Sequence, residues 1–203
     1  WKYKGMWEDF SGTVGFWADM DDPYVTYDNN FIESEWWALK KIWEKGLLYK
    51  GFKILPYCPR CGTPLSSHEV AQGYKDVKDR SVTVKMKVKG QENTYFLVWT
   101  TTPWTLPSNV ALCVNPDVKY VKIKTETENY ILAEELIASN IEGEYEILES
   151  YVGSDLEMME YEPLYSFKEL DGKAYYVTCD GYVTTSDGTG IVHIAPAFGA
   201  DDA

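Results

Sequence analysis

The sequence predicts an α+β, β-rich chain, a compact β-barrel-like domain with a few decorating helices. Three observations carry this. From Val82 the pattern has period two, with Val82, Val84, Met86 and Val88 alternating with Thr83, Lys85 and Lys87, as a strand with one buried face requires. Short runs of the same kind follow at residues 95–99, 111–114, 120–124, 130–132, 145–148, 175–178 and 190–194, joined by irregular connections. Helical signals are few, confined to a segment from Asn30 and a short one over residues 133–139.

With 203 residues, 45% hydrophobic and 15% aromatic, the chain can bury a core and fits one large or two small domains. The expected division is an aromatic and acidic leading segment, residues 1–55, and a β-rich domain, residues 56–203. The first thirty residues hold Trp7, Phe10, Phe16 and Trp17, then Asp19, Asp21 and Asp22, and show no clear period. From Asn30 a helix is expected, with Asn30 as N-cap, Glu33 three residues on, Ile32, Trp36, Leu39 and Trp43 on one stripe, Lys40, Lys41 and Lys45 late, and Gly46 as stop. Such a stripe reads first as core.

The net charge of -13, from 19 Lys+Arg against 32 Asp+Glu, argues against a general binder of phosphate backbone, whose affinity comes from cations. No run of apolar residues is long enough to span a bilayer, so no membrane partner is expected. The chain opens on Trp1, without a signal-like segment or an initiating Met, and reads as part of something longer. Four cysteines do not make a disulfide framework at this length, and a reducing, cytoplasmic setting is expected. Cys113 and Cys179 sit singly in strand-like runs and read as small buried hydrophobes. Cys58 and Cys61, in Cys-Pro-Arg-Cys-Gly, supply half of a tetrahedral zinc site; there is no second such pair, and His68 is a poor third ligand. No Gly-rich nucleotide loop is present, so no ATP chemistry is expected of this chain itself.

Two stretches stand out as chemistry. Residues 99–109, Trp-Thr-Thr-Thr-Pro-Trp-Thr-Leu-Pro-Ser-Asn, set hydroxyls between indoles and prolines, with buried-type runs on either side. Pro103 and Pro107 fix their own φ and bias Thr102 and Leu106 away from helix, so an ordered, extended turn is expected. Taken alone, this is a Thr/Pro loop between strands. Residues 187–202 join glycines that allow close backbone approach to a strand carrying His193, then a Pro/Gly turn closing on Asp201 and Asp202, where another helix should start. Taken alone, His193 is a core histidine and either aspartate an N-cap.

Together the two stretches resemble the signature segments of the inserted editing domain, the connective peptide, of isoleucyl-tRNA synthetases. Residues 56–62, residues 65–69 and the Trp36-Trp37 helix resemble the segments entering that insertion, so the likeness covers nearly the whole chain. The sister enzymes for valine and leucine carry Arg where this chain has Thr102 and an acidic residue where it has Trp104, which favours the isoleucine branch. The resemblance implies a water-mediated hydrolase that removes valine from mischarged tRNA(Ile), and valyl-adenylate as well. A pocket built for isoleucine rejects valine by one methylene, about 1–3 kcal/mol, a limit for which this amino-acid pair is itself the standard example, so a second sieve is needed.

The resemblance also implies roles. Asp202 would pair with the substrate α-ammonium, Asp201 being the fallback. Thr101 and Thr102, with Thr100 and Asn109 beside them, would hold the acyl group, the terminal adenosine and the attacking water. Trp99 and Trp104 would wall the pocket, with Thr105 in support. His193 would exclude the longer isoleucine side chain, steric sizing being preferred over general-base work. No cofactor is implied for editing; zinc at Cys58 and Cys61 and ATP chemistry belong to the longer parent chain, which with the acceptor end of tRNA(Ile) is the implied partner. The rivals are a zinc-ribbon interaction module centred on Cys58 and Cys61, and a catalytically silent fragment of the synthetase.

Overall fold

A computed structural model describes residues 2–203, which divide into two units, residues 2–52 and residues 53–203. The first holds α1 (Lys2–Thr13) and α2 (Asn29–Glu44). The helix α1 lies where no period was assigned, although Tyr3, Met6, Trp7, Phe10 and Val14 have helical spacing; Gly5, Ser11 and Gly12, all weak helix formers, dilute the signal.

The expected cap of α2 is corrected. Asp28, extended at φ -71 and ψ 142, precedes the first turn, and Asn29 and Asn30 are inside it; no side chain caps the end. Gly46 does stop the helix. At φ +71 it takes the left-handed conformation, and the N–H groups of Gly46 and Leu47 reach the carbonyls of Trp43 and Ile42, which closes the last turn. The stripe is not core among the described residues. Ile32, Trp36 and Trp43 are exposed and only Leu39 is half-buried, because within its own unit α1 does not cover that face.

The second unit opens with a two-stranded hairpin, β1 (Tyr57–Cys58) and β2 (Thr63–Pro64), then α3 (Ser67–Ala71), started by a reciprocal Ser66 and Glu69 cap. The rest is β3 (Val82–Lys87), β4 (Thr94–Thr100), a 3-10 turn (Pro103–Ser108), β5 (Ala111–Val114), β6 (Lys119–Lys124), β7 (Asn129–Ala133), α4 (Ile137–Asn140), β8 (Glu146–Val152), β9 (Tyr176–Cys179) and β10 (Ile191–Ile194). These strands form one mixed sheet of eight, in the order 8-6-7-4-10-5-9 with β3 added beside β4. The sheet curls into an open half-barrel, so the β-rich expectation holds.

The sheet folds this way because its central strands bury both faces. Along β4, Phe96 and Val98 join a core with Met86, Leu112, Tyr120, Ile131, Leu156 and Ile191, while Leu97 turns to a second cluster with Val121, Ile123, Leu132 and Ile137. Strand β10 lies between β4 and β5, parallel to the first with Val192 beside Trp99, and antiparallel to the second with His193 beside Leu112. Two glycines make room. A Cβ on Gly190 (φ +76) would lie 2.6 Å from the Ala133 Cβ, and one on Gly188 (φ +76) 2.6 Å from the Trp99 indole. The backbone just before β10 is pinned by the Tyr120 hydroxyl donating to the Gly190 carbonyl at 2.6 Å and by Asn140 Nδ2 donating to that of Gly188 at 2.7 Å. Cys113 is buried in β5 and Cys179 half-buried in β9, and burial pushes the Cys113 thiol up to about 11.

Candidate functional site

The pairing of β4 with β10 brings the start of the threonine stretch beside the histidine strand. A cavity of about 340 Å³ opens there, lined by Trp99, Thr100, Thr101, Thr102, Trp104, Thr105, Val192, His193, Phe198, Gly199 and Asp202. Eight of the ten candidate residues in the two stretches therefore share one wall or the other. No lysine or arginine is among the lining residues.

One wall is a short 3-10 turn rather than the extended turn expected. Pro103 occupies its first position, where the fixed φ suits a helical start and the missing N–H is not needed. Within it the Thr105 N–H donates to the Thr102 carbonyl at 3.0 Å, and the Thr102 N–H turns back to Thr100 Oγ1 at 3.0 Å. Thr100 and Thr105 are buried, Thr102 half-buried and Thr101 exposed. Among the described residues the Thr101 hydroxyl has no hydrogen-bond partner, while the hydroxyls of the other three contact one another or His193.

The opposite wall carries His193, 7% exposed, with Nε2 at 2.9 Å from Thr105 Oγ1. Burial lowers its pKa, and the nearby Asp202 carboxylate pulls the other way. The turn after β10 folds Asp202 back so that Oδ2 accepts from the Ala195 N–H at 2.9 Å. Gly199 permits this, since a Cβ there would lie 2.9 Å from the Asp202 carboxyl carbon. The described residues at Asp201 and Asp202 form a turn.

Two candidates lie elsewhere. Asn109 is buried outside the cavity lining, its Nδ2 donating to the Ala111 carbonyl at 2.8 Å and its Oδ1 accepting from the Tyr161 hydroxyl. Those bonds commit both ends of the amide to holding the turn against β5. Asp201 is exposed and does not line the cavity. Conversely Val192, Phe198 and Gly199 line it without having been singled out. The Ala-Pro-Ala-Phe-Gly run held that information, since a turn closing on an aspartate must present its own residues to whatever the aspartate faces.

Cys58 and Cys61 belong to the β1–β2 hairpin, where the Cys61 N–H donates to Cys58 Sγ at 3.4 Å and lowers the pKa of that thiol. Gly62, at φ +72, closes the knuckle by donating to the Cys58 carbonyl at 2.9 Å. No group of three or more metal-type side chains converges among the described residues, His68 included.

A hydroxyl-rich wall facing a carboxylate and a neutral imidazole, without a cation, can hold a ligand bearing an ammonium group and can orient a water; it offers nothing to neutralise phosphate. The chain belongs to the family described as tRNA synthetases class I (I, L, M and V), whose pattern matches residues 1–187. Within it, the chain is 60% identical over 200 residues to the isoleucine–tRNA ligase of Clostridium kluyveri, 59% over 201 to that of Clostridium novyi and 54% over 200 to that of Bacillus thuringiensis. These alignments cover 98%, 99% and 98% of this chain, which spans 19% of the length of each relative. In fold it is similar to the crystal structure of GlLeuRS-CP1, with a TM-score of 0.50 and 20% identity over 61% of this chain and 57% of that one.

Proposed function

We propose that this chain is the proofreading part of an isoleucyl-tRNA synthetase, hydrolysing valyl ester on tRNA(Ile), and valyl-adenylate, by attack of water while excluding isoleucine sterically. The observation that carries the reading is the single cavity whose lining unites Thr101 and Thr102 with His193 and Asp202 from the far end of the sequence. Asp202, held by the Ala195 N–H through one oxygen, presents its carboxylate to the substrate ammonium. Thr101 supplies the uncommitted hydroxyl for the ester or the water. His193, packed on β10, limits the depth available to the side chain. No nucleophilic Ser or Cys lines the cavity, which supports direct attack by water over a covalent intermediate.

The partners follow from the same reading: the acceptor end of tRNA(Ile), and the rest of the synthetase chain, which carries the ATP chemistry. That remainder is also the natural cover for the exposed Trp36 and Trp43 face of α2. Cys58 and Cys61 have the N–H to Sγ geometry of a metal knuckle and would supply two of four thiolates to a zinc completed from outside this chain.

The test is deacylation of mischarged valyl-tRNA(Ile). The chain is expected to hydrolyse it, Asp202→Ala to abolish hydrolysis, and His193→Ala to admit correctly charged isoleucyl-tRNA(Ile). Unchanged valyl hydrolysis in Asp202→Ala removes the ammonium role, and continued refusal of isoleucyl ester by His193→Ala removes the sizing role.

A further inference from the structure

The hydroxyls of the threonine wall are wired with a definite polarity. A hydroxyl has one proton to give and two lone pairs to receive. Thr105 Oγ1 gives its proton to the Thr102 carbonyl at 2.8 Å. It can then only accept at its other two contacts, His193 Nε2 at 2.9 Å and Thr102 Oγ1 at 3.3 Å. The Thr102 proton therefore points at Thr105, and at its 3.4 Å approach to Thr100 Oγ1 it is Thr102 that accepts.

The ring nitrogen facing Thr105 must accordingly carry hydrogen. In the neutral ring the lone pair then sits on Nδ1, which is buried and has no hydrogen-bond partner among the described residues. The opposite assignment would turn the Thr105 proton toward Nε2 and leave an N–H on Nδ1 in the same partnerless position. Orphaned buried N–H donors are rarer than under-satisfied acceptors, so that assignment loses. Asp202, on the turn after β10, is the charged group acting on the ring; the pairing strand places Leu112 beside it and the 3-10 turn places Thr105, neither of which titrates.

We infer that Thr105 is a positioning residue whose hydroxyl holds His193 in the tautomer protonated at Nε2, fixing the ring as a rigid wall and withholding it as proton acceptor in the hydrolytic step. Its last clause rests on the hydrolase reading above, whereas the tautomer stands on the hydrogen bonds alone. A consequence is that the attacking water is served by groups with free lone pairs in the cavity, the Thr101 hydroxyl and the Asp202 carboxylate, and not by the imidazole.

The experiment uses the 15N-labelled chain, whose two histidines reduce to His193 alone in a His68→Gln background. Two-bond couplings from the ring carbons' hydrogens to Nδ1 and Nε2 report which nitrogen is protonated. The expected spectrum has Nε2 protonated and Nδ1 bare; Thr105→Val, which keeps the shape and removes the hydroxyl, gives a mixture of tautomers, and Thr105→Ser restores the single one. On aminoacyl esters, Thr105→Val is expected to lower the preference for valyl over isoleucyl about tenfold, through KM more than kcat, with Ser again rescuing. An Nδ1–H signature in the unaltered chain, or an unchanged single tautomer in Thr105→Val, overturns the inference; should the valine variant not fold, the unaltered chain's spectrum decides. If the unaltered chain hydrolyses neither ester, the hydrolase reading fails and the ring spectrum still judges the tautomer.

Discussion

Residues 2–52 and residues 53–203 hold similar kinds of apolar side chain and dispose of them in opposite ways. In the first unit Tyr3, Met6, Trp7 and Phe10 of α1 and Trp36, Trp37 and Trp43 of α2 are all more than half exposed. In the second, Phe96, Leu112, Tyr120, Ile131 and Leu156 are fully enclosed. An amphipathic helix specifies a surface that something must cover, whereas a curled sheet brings its own cover by folding one strand's face over another's. The candidate site sits wholly on the unit that supplies its own core, as a cavity defined to fractions of an ångström requires.

Substitutions can sharpen or break that contrast. The largest effect is expected from Leu112→Ala, on β5 beside β10, which should lower the unfolding free energy by about 2–5 kcal/mol in a urea titration. Gly190→Ala comes next. The added methyl meets Ala133 and forces a side chain into the left-handed region, for about 1–3 kcal/mol. Thr101→Val should leave stability within about 0.5 kcal/mol and cut valyl-ester hydrolysis by about tenfold or more, because its hydroxyl supports nothing inside the protein.

A smaller effect is expected from acid. His193 is harder to protonate folded than unfolded, so its neutral burial stabilises the fold above the unfolded-state value of about 6.5, and that contribution is lost as pH falls through the lowered folded value. Urea midpoints of His193→Gln should accordingly vary less with pH in this window than those of the unaltered chain. Smallest of all, Trp36→Ser should change the unfolding free energy by less than about 0.5 kcal/mol; a core-sized loss there would show that the first unit covers that face itself and would end the contrast.

The strands of the large sheet were legible because each alternates or runs apolar over four to seven residues between polar breaks, and β4, β5, β7 and β10 begin within one residue of the expected positions; the two-residue strands β1 and β2 are too short to show a period. Helix α1 was not, although its apolar spacing is regular, since two glycines and a serine in twelve residues weaken every propensity argument. Proline reasoning placed a boundary correctly at Thr102 but assigned it the wrong geometry. The rule restricts the residue before proline, while proline itself starts a helical turn well, and here the second effect won. At the site, residue types announced hydroxyls, imidazole and carboxylate. Which hydroxyls are already engaged could not be read, because Thr101 and Thr105 differ in their neighbours and not in their chemistry.

The order of the sheet has a consequence for synthesis. The strand that brings the two walls together, the last of the described strands, lies between β4 and β5, flanked on both sides by segments made some eighty to ninety residues earlier. A growing chain emerging from the ribosome must therefore keep the edges of those two strands apart and unsatisfied until residues 191–194 arrive, a long-range closure of the slow kind. Closure of the cavity and pairing of the central strands become one event, so a chain lacking β10 carries neither wall in place.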